Sequence, residues 1–147
     1  MTLQPDPTRA PPPSIPWWVA TLVIIGAVLT AAGGIFALVR PETLLEPGEA
    51  MNAAAHVYAG YLISRGLALA LMLLVLLALR ARRMLAGLMV LVALVQLIDA
   101  GVDATTGRAS LLPIALVFAA AFLVGATRLF GQPFWTRSAW RDRPVPR

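Results

Sequence analysis

The sequence predicts an all-α protein, a four-transmembrane-helix up-down bundle with both termini cytoplasmic. Three observations lead there. Hydrophobic residues make up 59% of the 147 residues and charged residues only 13%, against roughly 25% charged in a soluble domain. Such a chain, with a mean hydropathy of +0.79, has too little polar surface to cover itself in water. Second, the apolar residues fall into four runs, about 17–39, 54–79, 84–102 and 109–127, each close to the ~20 residues that cross a hydrocarbon core of about 30 Å. Third, the arginines cluster between and after those runs, mostly on one side of the implied membrane.

Residues 1–16 hold Pro5, Pro7, Pro11, Pro12, Pro13 and Pro16 and are expected to form a disordered or polyproline-like tail. The first span opens on Trp17 and Trp18, suited to the aromatic belt at a membrane interface, and runs to Val39 without a charge. A cleaved signal peptide is the competing reading. The run exceeds a typical signal-peptide apolar region and lacks a clear small-residue cleavage site. Within it Gly26, Thr30 and Gly34 recur at every fourth position, a spacing that lets helix backbones approach closely in lipid.

Arg40 and Pro41 stop this helix, and an acidic loop with Glu42, Glu46 and Glu49 turns at Pro47 and Gly48. The second span ends at Leu79. Arg80, Arg82 and Arg83 leave so short a connection that the second and third spans are expected to form an antiparallel hairpin. The third span ends near Asp103, and Thr105, Thr106, Gly107 and Arg108 make the next turn. Pro113 falls in the first turn of the fourth span, where a missing N–H costs little. The transmembrane domain is thus residues 17–130. In the basic aromatic tail, 131–147, Phe134, Trp135 and Trp140 alternate with Arg137, Arg141 and Arg143, a composition that favours an anionic membrane surface.

Orientation follows from the arginines. Arg9, Arg80, Arg82, Arg83, Arg128, Arg137, Arg141, Arg143 and Arg147 share one side, against Arg40 and Arg108 on the other, which places both termini in the cytoplasm. The +5 net charge is therefore read as topology and not as a nucleic-acid surface. All 12 basic residues are arginine, a composition pointing to a GC-rich bacterial genome and hence to a bacterial inner membrane. With no cysteine and a single histidine, His56, neither a metal nor a cofactor is expected.

Arg65 and Asp99 are the conspicuous exceptions to this patterning. Only 14 apolar residues, 66–79, follow the arginine, and only 15, 84–98, precede the aspartate; neither segment can span without drawing its charge in. An ionisable residue at such depth marks a functional site by default. Arg65 is 15 residues from Arg80 and Asp99 is 16 from Arg83, which puts both roughly 22–24 Å from the hairpin boundary at about 1.5 Å per residue. On consecutive antiparallel helices at matching height, they can form an ion pair. At about 100° per residue, Tyr58 and Tyr61 share a stripe with Arg65, and Gln96 and Asp103 share one with Asp99. The expected ligand-binding set is Arg65, Asp99, Tyr61, Tyr58, Gln96 and Asp103, in the outer half of the bundle. Two plainer readings compete with a functional one: Arg65 snorkelling to the headgroups, and a pair that only locks two helices.

Tyr61, Leu62, Ile63, Ser64, Arg65 and Gly66, the arginine hairpin, and then Gln96, Leu97, Ile98, Asp99 and Ala100 together resemble the uncharacterised bacterial four-helix small integral membrane proteins of the DoxX-like neighbourhood. The resemblance covers most of residues 17–130 and implies fold and topology, since those families carry no assigned activity. This chain lacks the cysteines of the redox-active relatives. Three functions stand open. The first is a membrane protein whose outward-facing pocket, centred on Arg65 and Asp99, binds a lipid-like or small acidic ligand or a partner's helices. The second is a compact enzyme, an isomerase or cyclase of an apolar substrate, with Asp99 as catalytic acid or base. The third is a proton- or ion-coupled transporter, which would require an oligomer. Membrane lipids, a homo-oligomer or a larger membrane complex are the partners expected, and nucleic acid is not.

Overall fold

A computed structural model describes residues 14–44, 52–105 and 112–141. Most of the proline-rich tail, the loop with Glu46, Pro47, Gly48 and Glu49, the turn at Thr106, Gly107 and Arg108, the first residues expected in the fourth span, and Arg143 all lie outside the described residues. The described chain is all-helical: α1 (Trp17–Val39), a 3-10 turn (Pro41–Leu44), α2 (Ala53–Ala78), α3 (Arg82–Thr105), α4 (Leu112–Phe130) and the single turn α5 (Arg137–Trp140). The four long helices are each long and apolar enough to cross a membrane.

Each boundary has a local cause. Asn52 caps α2, its side-chain oxygen accepting from the Ala55 N–H at 3.0 Å, which satisfies one of the free donors of the first turn. Pro113 is the second residue of α4, where its missing N–H has no partner to lose. Gly131 ends α4 at φ 72° while its N–H bonds the Thr127 carbonyl at 3.0 Å, a left-handed stop that favours glycine. The α2–α3 connection is tighter than the sequence predicts, because Arg82 and Arg83 belong to the first turn of α3. Three residues make the turn, with Arg80 at φ 53° and the Ala81 N–H reaching back to the Leu76 carbonyl at 3.0 Å. A side chain in this left-handed conformation costs about 1–2 kcal/mol, part of which glycine returns through its freer unfolded chain. Arg80→Gly is therefore expected to raise stability by up to about 1 kcal/mol, read as a higher melting temperature in detergent; a lower one would show that the arginine side chain itself holds the turn.

The helices associate as two pairs, α1 with α2 and α3 with α4, with much sparser contact between α2 and α3 or α1 and α4. Lipid supplies little hydrophobic drive between helices, so small residues set how close they come. A Cβ built on Gly34 would lie 2.8 Å from the Ile63 Cα, and one on Gly66 2.8 Å from the Thr30 carbonyl oxygen. In both cases the neighbour is backbone, which cannot move aside. Gly26, on the same small-residue stripe, instead receives the Phe122 ring of α4. The stripe drifts around α1 and serves two partners.

The core that joins the two pairs is confined to one half of the bundle. Val19 and Val23 of α1, Leu73 of α2, Leu85 and Met89 of α3, and Phe122 of α4 are its largest fully buried side chains. All lie toward the α2–α3 connection. The tail closes this end. Phe134 packs against the core, and Trp140 stacks on Phe130 with ring centroids 5.0 Å apart. The Trp140 indole donates to the Phe134 carbonyl at 2.6 Å. All three aromatics expected on a membrane surface touch one another or the bundle, Trp135 meeting Phe134 edge-on at 5.0 Å, and Trp135 and Trp140 both stay more than half exposed.

Candidate functional site

In the opposite half, where the two helix pairs lack a shared core, lies a cavity of about 340 Å³. All four long helices line it. Leu29, Thr30, Gly33 and Gly34 come from α1, and Leu62, Arg65, Gly66 and Leu69 from α2. Val92, Val95, Gln96 and Asp99 come from α3, and Ile114 and Phe118 from α4. The walls are apolar except for Thr30, Arg65, Gln96 and Asp99. Ligand sites for small molecules have this character, a space of about 300–1,000 Å³ with a few convergent polar groups.

The pair foreseen in the sequence is formed. Arg65 Nη2 donates to Asp99 Oδ2 at 2.7 Å and Nη1 to Oδ1 at 3.4 Å, the two-pronged geometry in which guanidinium matches carboxylate. It bridges the two helix pairs beside the cavity. The side chains remain 46% and 37% accessible, so the bridge is half-buried. Arg65 sits midway along α2, with residues 53–64 still to one side of it. A guanidinium carries five N–H donors; Asp99 takes two, and nothing among the described residues takes the rest.

Gln96 also lines the cavity, one turn before Asp99, and its amide makes no hydrogen bond among the described residues. The other expected members fall outside. Tyr58 and Tyr61 are 54% and 70% exposed, are not part of the lining, and their hydroxyls bond nothing among the described residues. Asp103 is half-buried in the last turn of α3, away from the cavity wall. His56 is exposed in the first turn of α2. Among the described residues no group of three or more His, Cys, Asp or Glu could hold a metal ion.

Sequence reasoning missed the apolar wall, above all Gly33 and Phe118. Gly33 lines the cavity, yet a Cβ built there meets no atom within 4 Å, in contrast to its neighbour Gly34. No signal separates the two glycines in a helix that is apolar on every face. Comparison of the chain with family models, curated proteins and solved structures finds no match.

Proposed function

We propose that this chain is a multi-pass protein of the bacterial inner membrane that binds one small lipid-like or acidic molecule in the cavity bridged by Arg65 and Asp99. The observation that carries this reading is the combination of an apolar cavity shared by all four helices with a guanidinium whose donors are only partly used. The ligand's apolar body would lie against Leu29, Leu69, Val95 and Phe118, and its carbonyl or carboxyl group would accept from Arg65 and the Gln96 amide. Binding is favoured over acid–base catalysis because one guanidinium engages both oxygens of Asp99.

Topology is part of the same proposal. Among the described residues, Arg80, Arg82, Arg83, Arg128, Arg137 and Arg141 gather at the end of the bundle with the α2–α3 turn, and Glu42, Asp99 and Asp103 in the other half. That asymmetry supports a cytoplasmic arginine end and a cavity in the outer half, as does the resemblance to DoxX-like small membrane proteins. The test is extraction in mild detergent, release with organic solvent and mass spectrometry of what is freed. Beside any membrane phospholipid, one amphipathic species at near-equal molar ratio to the chain is expected, and its loss from the Arg65→Leu/Asp99→Leu double variant. Recovery of bulk membrane lipids alone, in equal amount from both proteins, would sink the proposal.

A further inference from the structure

A second groove, of about 840 Å³, lies at the arginine-rich end between the start of α1, the last half of α4 and the folded tail. It has a direction. Ala120, Leu123 and Val124 make an apolar trough along α4, and Thr127, Arg128 and Gln132 make its polar end about two turns further on. Trp18 and Trp135 flank it, residues that sit where one side of a ring is in hydrocarbon and the other in headgroups.

One arginine at this end stands apart from the rest. Arg128 is exposed and makes no ion pair or hydrogen bond among the described residues. No acidic residue accompanies it among the described residues of this half. Gln132 receives the Ser138 hydroxyl on its carbonyl oxygen at 2.8 Å, and its two N–H donors have no partner among the described residues. A guanidinium and an amide donor at the head of an apolar trough match a phosphate at the head of an acyl chain.

We infer that this groove is a binding site for one anionic phospholipid, its phosphate on Arg128 and Gln132 and one acyl chain along Ala120 and Val124. The site is separate from the cavity at Arg65 and stands whether or not that cavity binds a ligand. The lipid would also tie the folded tail to α1 and α4, because the groove is walled by all three. A single lost charge-assisted contact is worth about tenfold in affinity, which sets the size of the effect to look for.

The experiment places the full chain in nanodiscs of phosphatidylcholine with a minority of phosphatidylglycerol, and counts the lipids retained on release by native mass spectrometry. Wild type is expected to keep one phosphatidylglycerol in preference to phosphatidylcholine. Arg128→Gln and Val124→Trp should each weaken that retention about tenfold, the first by removing the charge and the second by filling the trough. Val124 is 61% exposed, so the larger side chain disturbs no packing. Arg137→Gln, which removes an equal charge from the same end but outside the groove, should leave retention unchanged. Equal retention of both lipids, an effect of Arg137→Gln as large as that of Arg128→Gln, or a dimer with no bound lipid would each overturn the assignment.

Discussion

Gly66→Leu and Gly34→Leu are expected to abolish the folded protein, the largest effect of any single substitution in the bundle. At both positions the first added carbon meets the backbone of the partner helix at 2.8 Å. A flexible side chain could swing away, but the Thr30 carbonyl and the Ile63 Cα move only if α1 and α2 separate. Overpacking a core that can relax costs about 1–3 kcal/mol. Here separation would dismantle the most extensive interface in the N-terminal half, so the loss should exceed that range. Gly66→Ala should already lower the melting temperature, and the leucine variants should leave a detergent extract without a monodisperse peak. If both leucine variants eluted and melted as wild type does, the close approach of α1 and α2 would be wrong.

Replacing either partner of the ion pair alone should destabilise the protein more than replacing both. In Arg65→Leu the Asp99 carboxylate is left at the cavity without its counter-charge, and in Asp99→Leu the guanidinium is. Exposed pairs contribute up to about 1 kcal/mol and breaking a buried pair costs about 3–5 kcal/mol. With side chains 46% and 37% accessible, each single change should cost on the order of 2 kcal/mol. The Arg65→Leu/Asp99→Leu double variant should recover part of that, because two apolar side chains leave no charge unpaired. The check is a double-mutant cycle on melting temperature. Additive losses would mean that the two residues act independently and that the bridge between the helix pairs carries no energy.

How far these features can be read in the sequence depends on what kind of signal each leaves. Arg65 and Asp99 stand out because charge is rare inside apolar runs, and their equal distance from the arginine hairpin fixes their relative height. Tyr58 and Tyr61 share the helical phase of Arg65, but phase only names a face of α2. The face meets another helix at Arg65 and is open at the tyrosines, because the shared core lies in the other half of the bundle. That asymmetry comes from long-range packing of Val19, Leu73, Met89 and Phe122, to which local periodicity is blind. Gly34 was legible as a small residue on a repeating stripe. Gly66 was not, since its role depends on where the Thr30 carbonyl of another helix lies. The tail shows the same limit of composition: arginines and aromatics match a membrane surface, but nothing in the pattern tells that Trp140 also packs on Phe130 and Gly87.

A small molecule held in the cavity beside Arg65 and Asp99 would sit between the two helix pairs. Gly33 gives the most direct test, because it lines that cavity and has open space where its side chain would begin. Gly33→Leu should fold at least as well as wild type, given that glycine within a helix costs about 1 kcal/mol against better helix formers. Native mass spectrometry of the two proteins from mild detergent should show a small molecule retained by wild type and absent from Gly33→Leu, with the melting temperature of the variant not reduced. Identical retention by both proteins, with no species lost from Gly33→Leu, or no species in wild type beyond the phospholipid of the α4 groove, would rule out a ligand in the cavity.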